Sequence, residues 1–317
     1  MSNMATSDKM IGSSAAWAAG YTGAGSRIAI IDTGADVDHP SLDPDALKYA
    51  LQGSNATIMT EADLTDEVLN QLNAYTRKAG LTAADFYVNE KIPFGFNYVD
   101  ADTDITHDND TQGDHGSHVT GIAAGNRFVK DEAGNYVAAL DSVMTQGVAP
   151  DAQILTMKVF GKGGGAYDSD YMVAIEDAMV LGADAANLTL GGSFPGFSEY
   201  TEEKYRHILD EIVGSGMVVT ISAGNSGSWF DETAFGLPYA GSVNWATNGS
   251  PGSYVNSLCV ASVDNAGVTD NYLKVKGHNM TYTEKSYQNK PIYTIGGSHE
   301  YIYLDKIGTA EEFAAVK

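Results

Sequence analysis

Basic residues, cysteine and long apolar runs are all scarce in this chain of 317 residues, and each shortage excludes something. Eighteen Lys and Arg stand against 41 Asp and Glu, a formal net charge of −23. Such a surface repels phosphate backbones and anionic headgroups, so nucleic acid is not expected as a partner. The single cysteine, Cys259, rules out an intrachain disulfide framework and leaves the redox compartment open. It lies in the apolar run "SLCVASV", where it is expected as a buried small hydrophobe rather than a nucleophile. No apolar run reaches the roughly 18 residues of a bilayer span, so no transmembrane segment is expected. The opening "MSNMATSDKMIGSS" lacks the charged-then-apolar order of a signal peptide. There is no H-E-x-x-H and no cysteine pair to hold zinc, so no metal site is assigned. No G-x-G-x-x-G opens a helix after the first strand, which argues against a dinucleotide-binding protein.

With 43% apolar residues, the chain can bury a sizeable core in one large or two modest domains. Runs rich in β-branched residues, "RIAIID" (27–32), "ILTMKVF" (154–160), "AANLTL" (185–190), "MVVTIS" (217–222) and "LCVASV" (258–263), read as buried strands. Between them lie helical patterns. Residues 169–182 offer Ser169 as N-cap, Val173, Ile175, Met179 and Leu181 at apolar positions, and Gly182 as the stop. Residues 198–216 repeat the scheme with Tyr205, Ile208, Leu209 and Ile212. Strand–helix alternation predicts an α/β fold, a mainly parallel sheet with helices on its faces. In such sheets ligands gather at the carboxyl ends of the strands.

Two stretches break the rhythm. Residues 42–95 read as an insertion whose segment "TEADLTDEVLNQLNAYTRKAG" predicts a helix with Leu64, Val68, Leu72 and Tyr75 on one face and Gly80 as its stop. "DADTDITHDNDTQGD" (100–114) begins with acids at every second position, as a calcium loop does. Ile105 and Thr111, however, replace the glycine and the closing glutamate of an EF-hand, which favours a solvated acidic loop.

Three strand ends carry candidate chemistry, and each taken alone is open to two readings. Asp32 closes the first strand before a glycine turn, as a turn aspartate or a functional carboxylate. His115 and His118 lie in "DHGSHVTGI" (114–122), ahead of small residues that suit a tightly packed helix. Asn225, in "ISAGNSG", either adopts a left-handed turn or offers its amide to a developing oxyanion.

Their order and company resemble the subtilases, the subtilisin-like serine peptidases. "AAWAAGYTGAGSRIAIIDTGADVDHPSL" is similar to that family's Asp region, "DHGSHVTGIAAG" to its His region and "GVAPDAQILTMKVFGKGGGAYDSD" to its substrate-edge region. "NLTLGG" and "ISAGNSG" resemble its binding strand and oxyanion turn. The long interval between Asp32 and His115, with "KIPFGFNYVDADTDI" before the histidine, looks most like the lactocepin-type cell-envelope proteinases.

The resemblance implies a subtilisin-like fold and roles for named residues. Asp32 would orient His115, and His115 would act as general base and acid, with His118 a structural helix residue. Asn225 would donate to the oxyanion. Thr189, Leu190 and Gly191 would pair with an extended substrate on one edge, Gly164, Gly165 and Ala166 on the other. Ser222, Ala223 and Gly224 would wall the pocket for the residue before the scissile bond. Catalysis would need no cofactor, and a structural calcium is left open. The acidic surface would steer basic peptides, whereas open glycine walls would suit apolar side chains.

The family's G-T-S-M-A-type run, which carries the nucleophile, is missing from residues 1–317. Ser193, Ser226 and Ser298 each lack the right setting. Residues 1–265 are therefore expected to be the amino-terminal part of a peptidase domain, incomplete at its carboxyl end. Residues 266–317 resemble the start of an inserted protease-associated domain, with "EYIYL" strand-like and "AEEFAAVK" helix-like. The serine is expected downstream, this stretch alone is expected to be inactive, and the family implies a secreted or cell-surface location. The other reading is a catalytically inactive subtilase that binds peptides.

Overall fold

The computed structural model describes residues 4–108, 110–143, 145–192, 199–225, 248–264, 272–281 and 297. Its strands are β1 (Arg27–Asp32), β2 (Phe94–Asn97), β3 (Phe128–Lys130), β4 (Tyr136–Ala138), β5 (Gln153–Lys158), β6 (Ala185–Leu188), β7 (Val218–Ser222), β8 (Leu258–Val260), β9 (Tyr272–Val275) and β10 (His278–Thr281). Six form one sheet in the order β2-β5-β1-β6-β7-β8, and every pairing in it is parallel. The chain forms two compact units, residues 2–267 and residues 268–317. Within the second, β9 and β10 pair antiparallel.

The sheet is covered on both faces, and β1 shows how. Its alternate residues Ala29 and Ile31 enter one apolar cluster while Ile30 and Ile28 face another. The larger cluster lies under helices Asp168–Val180 and Glu199–Ser215, which contribute Ile175, Ala178, Tyr205, Leu209 and Ile212. The smaller one lies under helix His115–Ala124, through Val119, Ala123 and Ala124, together with Leu42 and Ile92. A strand buried on both faces needs no polar alternation, which is why β1 and β5 read as continuous apolar runs.

Several expectations are corrected. Residues 60–80 form no single helix: Glu61–Asp63 is a 3-10 turn, and Asp66–Leu69 and Asn73–Arg77 are separate short helices. Thr60 and Thr65 each start a new turn as local caps. Leu72 is extended (ψ 133°), so the chain restarts at Asn73. The backbone N–H groups of Asn73 and Ala74 are then taken by Asp177, at 2.7 and 2.9 Å, from a helix about a hundred residues away. The helix at 168–180 begins at Asp168 with Tyr167 as its N-cap, so Ser169 lies inside it and does not cap it. Strand β2 and the hairpin β3–β4 were not foreseen. The apolar run at 258–263 forms only the short β8, at the end of the sheet order, and Leu258, Val260 and Val263 are exposed. Cys259 is exposed with them and is not a buried hydrophobe, because no strand covers the outer side of β8 among the described residues. "EYIYL" and "AEEFAAVK" lie outside the described residues.

Candidate active site

Parallel pairing puts the carboxyl ends of β5, β1, β6 and β7 along one edge, in register Asp32 with Lys158, Ile31 with Leu188, and Leu188 with Ile221. Asp32 ends β1 and is fully buried. Its Oδ1 accepts from the Thr33 backbone N–H at 2.7 Å and lies 2.8 Å from His115 Nδ1. Its Oδ2 is buried with no hydrogen-bond partner among the described residues. His115 opens helix His115–Ala124, with 48% of its side chain exposed, so one edge of the ring meets the carboxylate while the ring stays accessible.

Two glycines make this approach feasible. A Cβ on Gly116 would sit 2.1 Å from the Gly34 carbonyl oxygen, and one on Gly34 would sit 2.2 Å from the Ile105 carbonyl oxygen. Gly34 also has φ +105°, a conformation that side chains oppose. The helix start and the turn after β1 are then stitched together. Gly116 N–H donates to Thr33 Oγ1 at 2.8 Å, and Asp36 N–H donates to Ser117 Oγ at 2.7 Å. His118 is exposed and lines a cavity of about 750 Å³ with His39 and His107.

The ends of β6 and β7 are joined by residues 249–252. Gly192 N–H donates to the Ser250 carbonyl at 2.9 Å, and Gly249 N–H to the Ala223 carbonyl at 3.0 Å. A Cβ on Gly249 would lie 2.1 Å from the Gly192 carbonyl oxygen, and one on Gly191 2.5 Å from that of Ser250. Ser222 Oγ donates to the Leu190 carbonyl at 3.3 Å, and Thr189 stands before it at half burial. Beyond Ser222 and Ala223, Gly224 takes φ +91° and turns the chain outward, leaving Asn225 exposed.

Beyond β5, residues 161–165 form a turn: Gly164 N–H donates to the Gly161 carbonyl at 2.9 Å and Gly161 N–H to the Gly165 carbonyl at 3.2 Å. Gln112 donates to the Gly164 carbonyl. The backbone groups of Gly164 and the carbonyl of Gly165 are thus engaged within the chain. Ser193, Ser226 and Ser298 lie outside the described residues.

Sequence reasoning missed Thr33, Ser117, Gln112 and the 249–252 segment. Only the last left a signal, the turn-forming "GSPGS". Among the described residues, no group of three or more His, Cys, Asp or Glu is placed to hold a metal ion, and no helix is long and apolar enough to cross a membrane.

The chain is thus an α/β protein with a buried carboxylate on one strand end bonded to a histidine at a helix start, and comparison with known proteins assigns its family. The model of the subtilase family matches residues 23–307, and the chain belongs to that family. It is 32% identical to the PI-type proteinase of Lactococcus lactis subsp. cremoris over 256 residues, covering 78% of this chain and 12% of that protein. It is 28% identical over 317 residues to the minor extracellular protease Vpr of Bacillus subtilis (strain 168), covering 96% of this chain and 28% of that one. Against the C5a peptidase of Streptococcus pyogenes the figures are 25% over 297 residues, 93% and 23%. The chain thus spans from 12% to 28% of the length of these relatives.

Proposed function

We propose that this chain is part of a subtilisin-type serine endopeptidase that cleaves extended polypeptides through an Asp–His–Ser acyl-enzyme route. The 2.8 Å contact between buried Asp32 and half-exposed His115 carries this reading. The carboxylate holds the imidazole with its proton on Nδ1, which leaves Nε2 to take the nucleophile's proton and later deliver it to the leaving amine. Asn225 donates to the oxyanion, and removing one such donor typically costs about 100- to 1,000-fold in turnover, a figure drawn from subtilisin. Thr189–Gly191 and Ala166 pair with the substrate backbone, and Ser222–Gly224 wall its pocket. The nucleophile comes from sequence beyond residues 1–317, since no G-T-S-M-A-type run occurs within them. Residues 266–317 begin a protease-associated domain, catalysis needs no cofactor, and the protein works outside the cell or on its surface, in keeping with a relative named as extracellular.

The test is cleavage of a broad peptide substrate by the complete polypeptide and by its His115→Ala variant. Turnover that depends on His115 is expected. Peptide binding without turnover in the complete polypeptide would overturn the reading in favour of an inactive, peptide-binding subtilase.

A further inference from the structure

A lysine in the middle of a buried parallel sheet is costly unless its charge is met. Lys158 ends β5, a strand buried along its whole length, and only 1% of its side chain is exposed. It is the register partner of Asp32, so both side chains project from the same face of the sheet. Its stem runs beneath the turn after β1, where a Cβ on Gly34 would lie 3.4 Å from Lys158 Cδ. Its ammonium donates to the Thr33 carbonyl at 2.7 Å and pairs with Asp110, itself 3% exposed. Asp110 belongs to the loop that leads into the His115 helix.

Thr33 is the residue that touches both halves of the site. Its N–H donates to Asp32 Oδ1, and its hydroxyl accepts from the Gly116 N–H one residue past His115. Lys158 therefore holds a residue that bonds both the carboxylate and the helix bearing the imidazole. Asp110 satisfies the charge at the other end of the contact, and the acidic loop adds Asp104, which lies within the field of Lys158.

We propose that Lys158, neutralised by Asp110, is a positioning residue for the Asp32–His115 pair, acting through the Thr33 carbonyl. A buried ion pair is weak evidence of stability, and its removal as a pair is often tolerated. Its placement here serves alignment, and a misplacement of about 1 Å in such a site can cost on the order of 100-fold in rate.

The proposal's activity arm rests on the peptidase reading above, whereas its spectroscopic arm does not. The chain is labelled with ¹⁵N-histidine, and the hydrogen-bonded Nδ1–H of His115 is followed by NMR in the parent and in Lys158→Met/Asp110→Asn, which removes both charges together. The double variant is expected to fold and to lose or broaden that signal. In the complete polypeptide kcat should fall on the order of 100-fold with KM changed less than about twofold. A folded variant with an unchanged His115 signal and unchanged kcat would overturn the proposal, leaving Lys158 a structural residue only. Should the double variant fail to fold, Lys158→Arg keeps a positive charge beside Asp110 while moving the donor that meets the Thr33 carbonyl, and the His115 signal should shift or broaden. A folded Lys158→Arg variant with an unchanged His115 signal would overturn the role of Lys158. If the parent polypeptide itself shows no turnover, the peptidase reading fails, and the NMR comparison still judges Lys158.

Discussion

Asp32 Oδ1 and His115 Nδ1 stand 2.8 Å apart across 83 positions of sequence, and the contact is asymmetric: the carboxylate is fully buried, the imidazole half exposed. A buried carboxylate acts on one tautomer of the ring, and an exposed ring edge can act on a substrate. In the complete polypeptide, if it is the peptidase proposed above, Asp32→Asn should leave the fold intact and lower kcat by about 10,000-fold, because the ring then settles in the wrong tautomer. Steady-state kinetics on one peptide substrate checks it. A loss under tenfold would mean that Asp32 is a turn residue with no share in the chemistry.

Gly116→Ala should disrupt the site. The added Cβ would meet the Gly34 carbonyl oxygen at 2.1 Å, backbone against backbone, with no flexible side chain to yield. Overpacking of this sort costs about 1–3 kcal/mol, and here the movement would also displace His115. Thermal unfolding measures the first effect and kcat the second. Unchanged values for both would show that the helix has freedom to shift.

Tyr98→Phe should loosen the anchorage of the 60–98 region. The Tyr98 hydroxyl donates to Asp177 Oδ2 at 2.9 Å, beside the two backbone N–H donors from Asn73 and Ala74. Burial pushes the Asp177 carboxyl above its ordinary value, and these donors work against that rise. Loss of a hydrogen bond to a charged acceptor costs about 1.5–3 kcal/mol. A denaturant midpoint unchanged from the parent would contradict it.

Lys91 should leave a signature in the pH dependence of stability. It is fully buried, donates to the Pro150 and Ala152 carbonyls at 2.9 and 2.8 Å, and burial pulls its pKa down to about 7 from an ordinary 10.5. Between about pH 7 and pH 10.5 the unfolded chain therefore binds more protons at this residue than the folded one. The contribution of Lys91 to stability accordingly rises with pH across that window and is flat below it. Lys91→Met should remove that rise. Denaturant unfolding at pH 7 and pH 9 in parent and variant gives the comparison, and equal slopes would contradict the expectation.

Much of this was legible in the sequence, for physical reasons that differ by element. Strands β1 and β5 announce themselves because both faces are buried along most of their length, whereas β6 and β7 bury alternate residues and show in the sequence through short apolar and β-branched runs. The apolar run of β8 looks the same, yet it lies at the end of the sheet order with its side chains exposed, since composition does not tell an edge from a centre. Asp32 and His115 are visible as motifs, and so is the pairing of their regions. The parts that hold them in place are not. Thr33, Lys158 and Gln112 act through backbone carbonyls and amides, which impose no residue pattern. The capping of Asn73 and Ala74 by Asp177 depends on an approach between distant helices, and the region was read as one helix because its apolar spacing survives the breaks.

The central claim is that Asp32 and His115 activate a serine outside residues 1–317, and mapping the site of a fluorophosphonate probe tests it most directly. Residues 1–317 alone and the complete polypeptide, each with and without His115→Ala, are treated with the probe, digested and read by mass spectrometry. The expected result is no labelling of residues 1–317 alone, and one labelled serine downstream in the complete polypeptide that loses its label with His115. Labelling of a serine within residues 1–317, or downstream labelling that persists without His115, would contradict it.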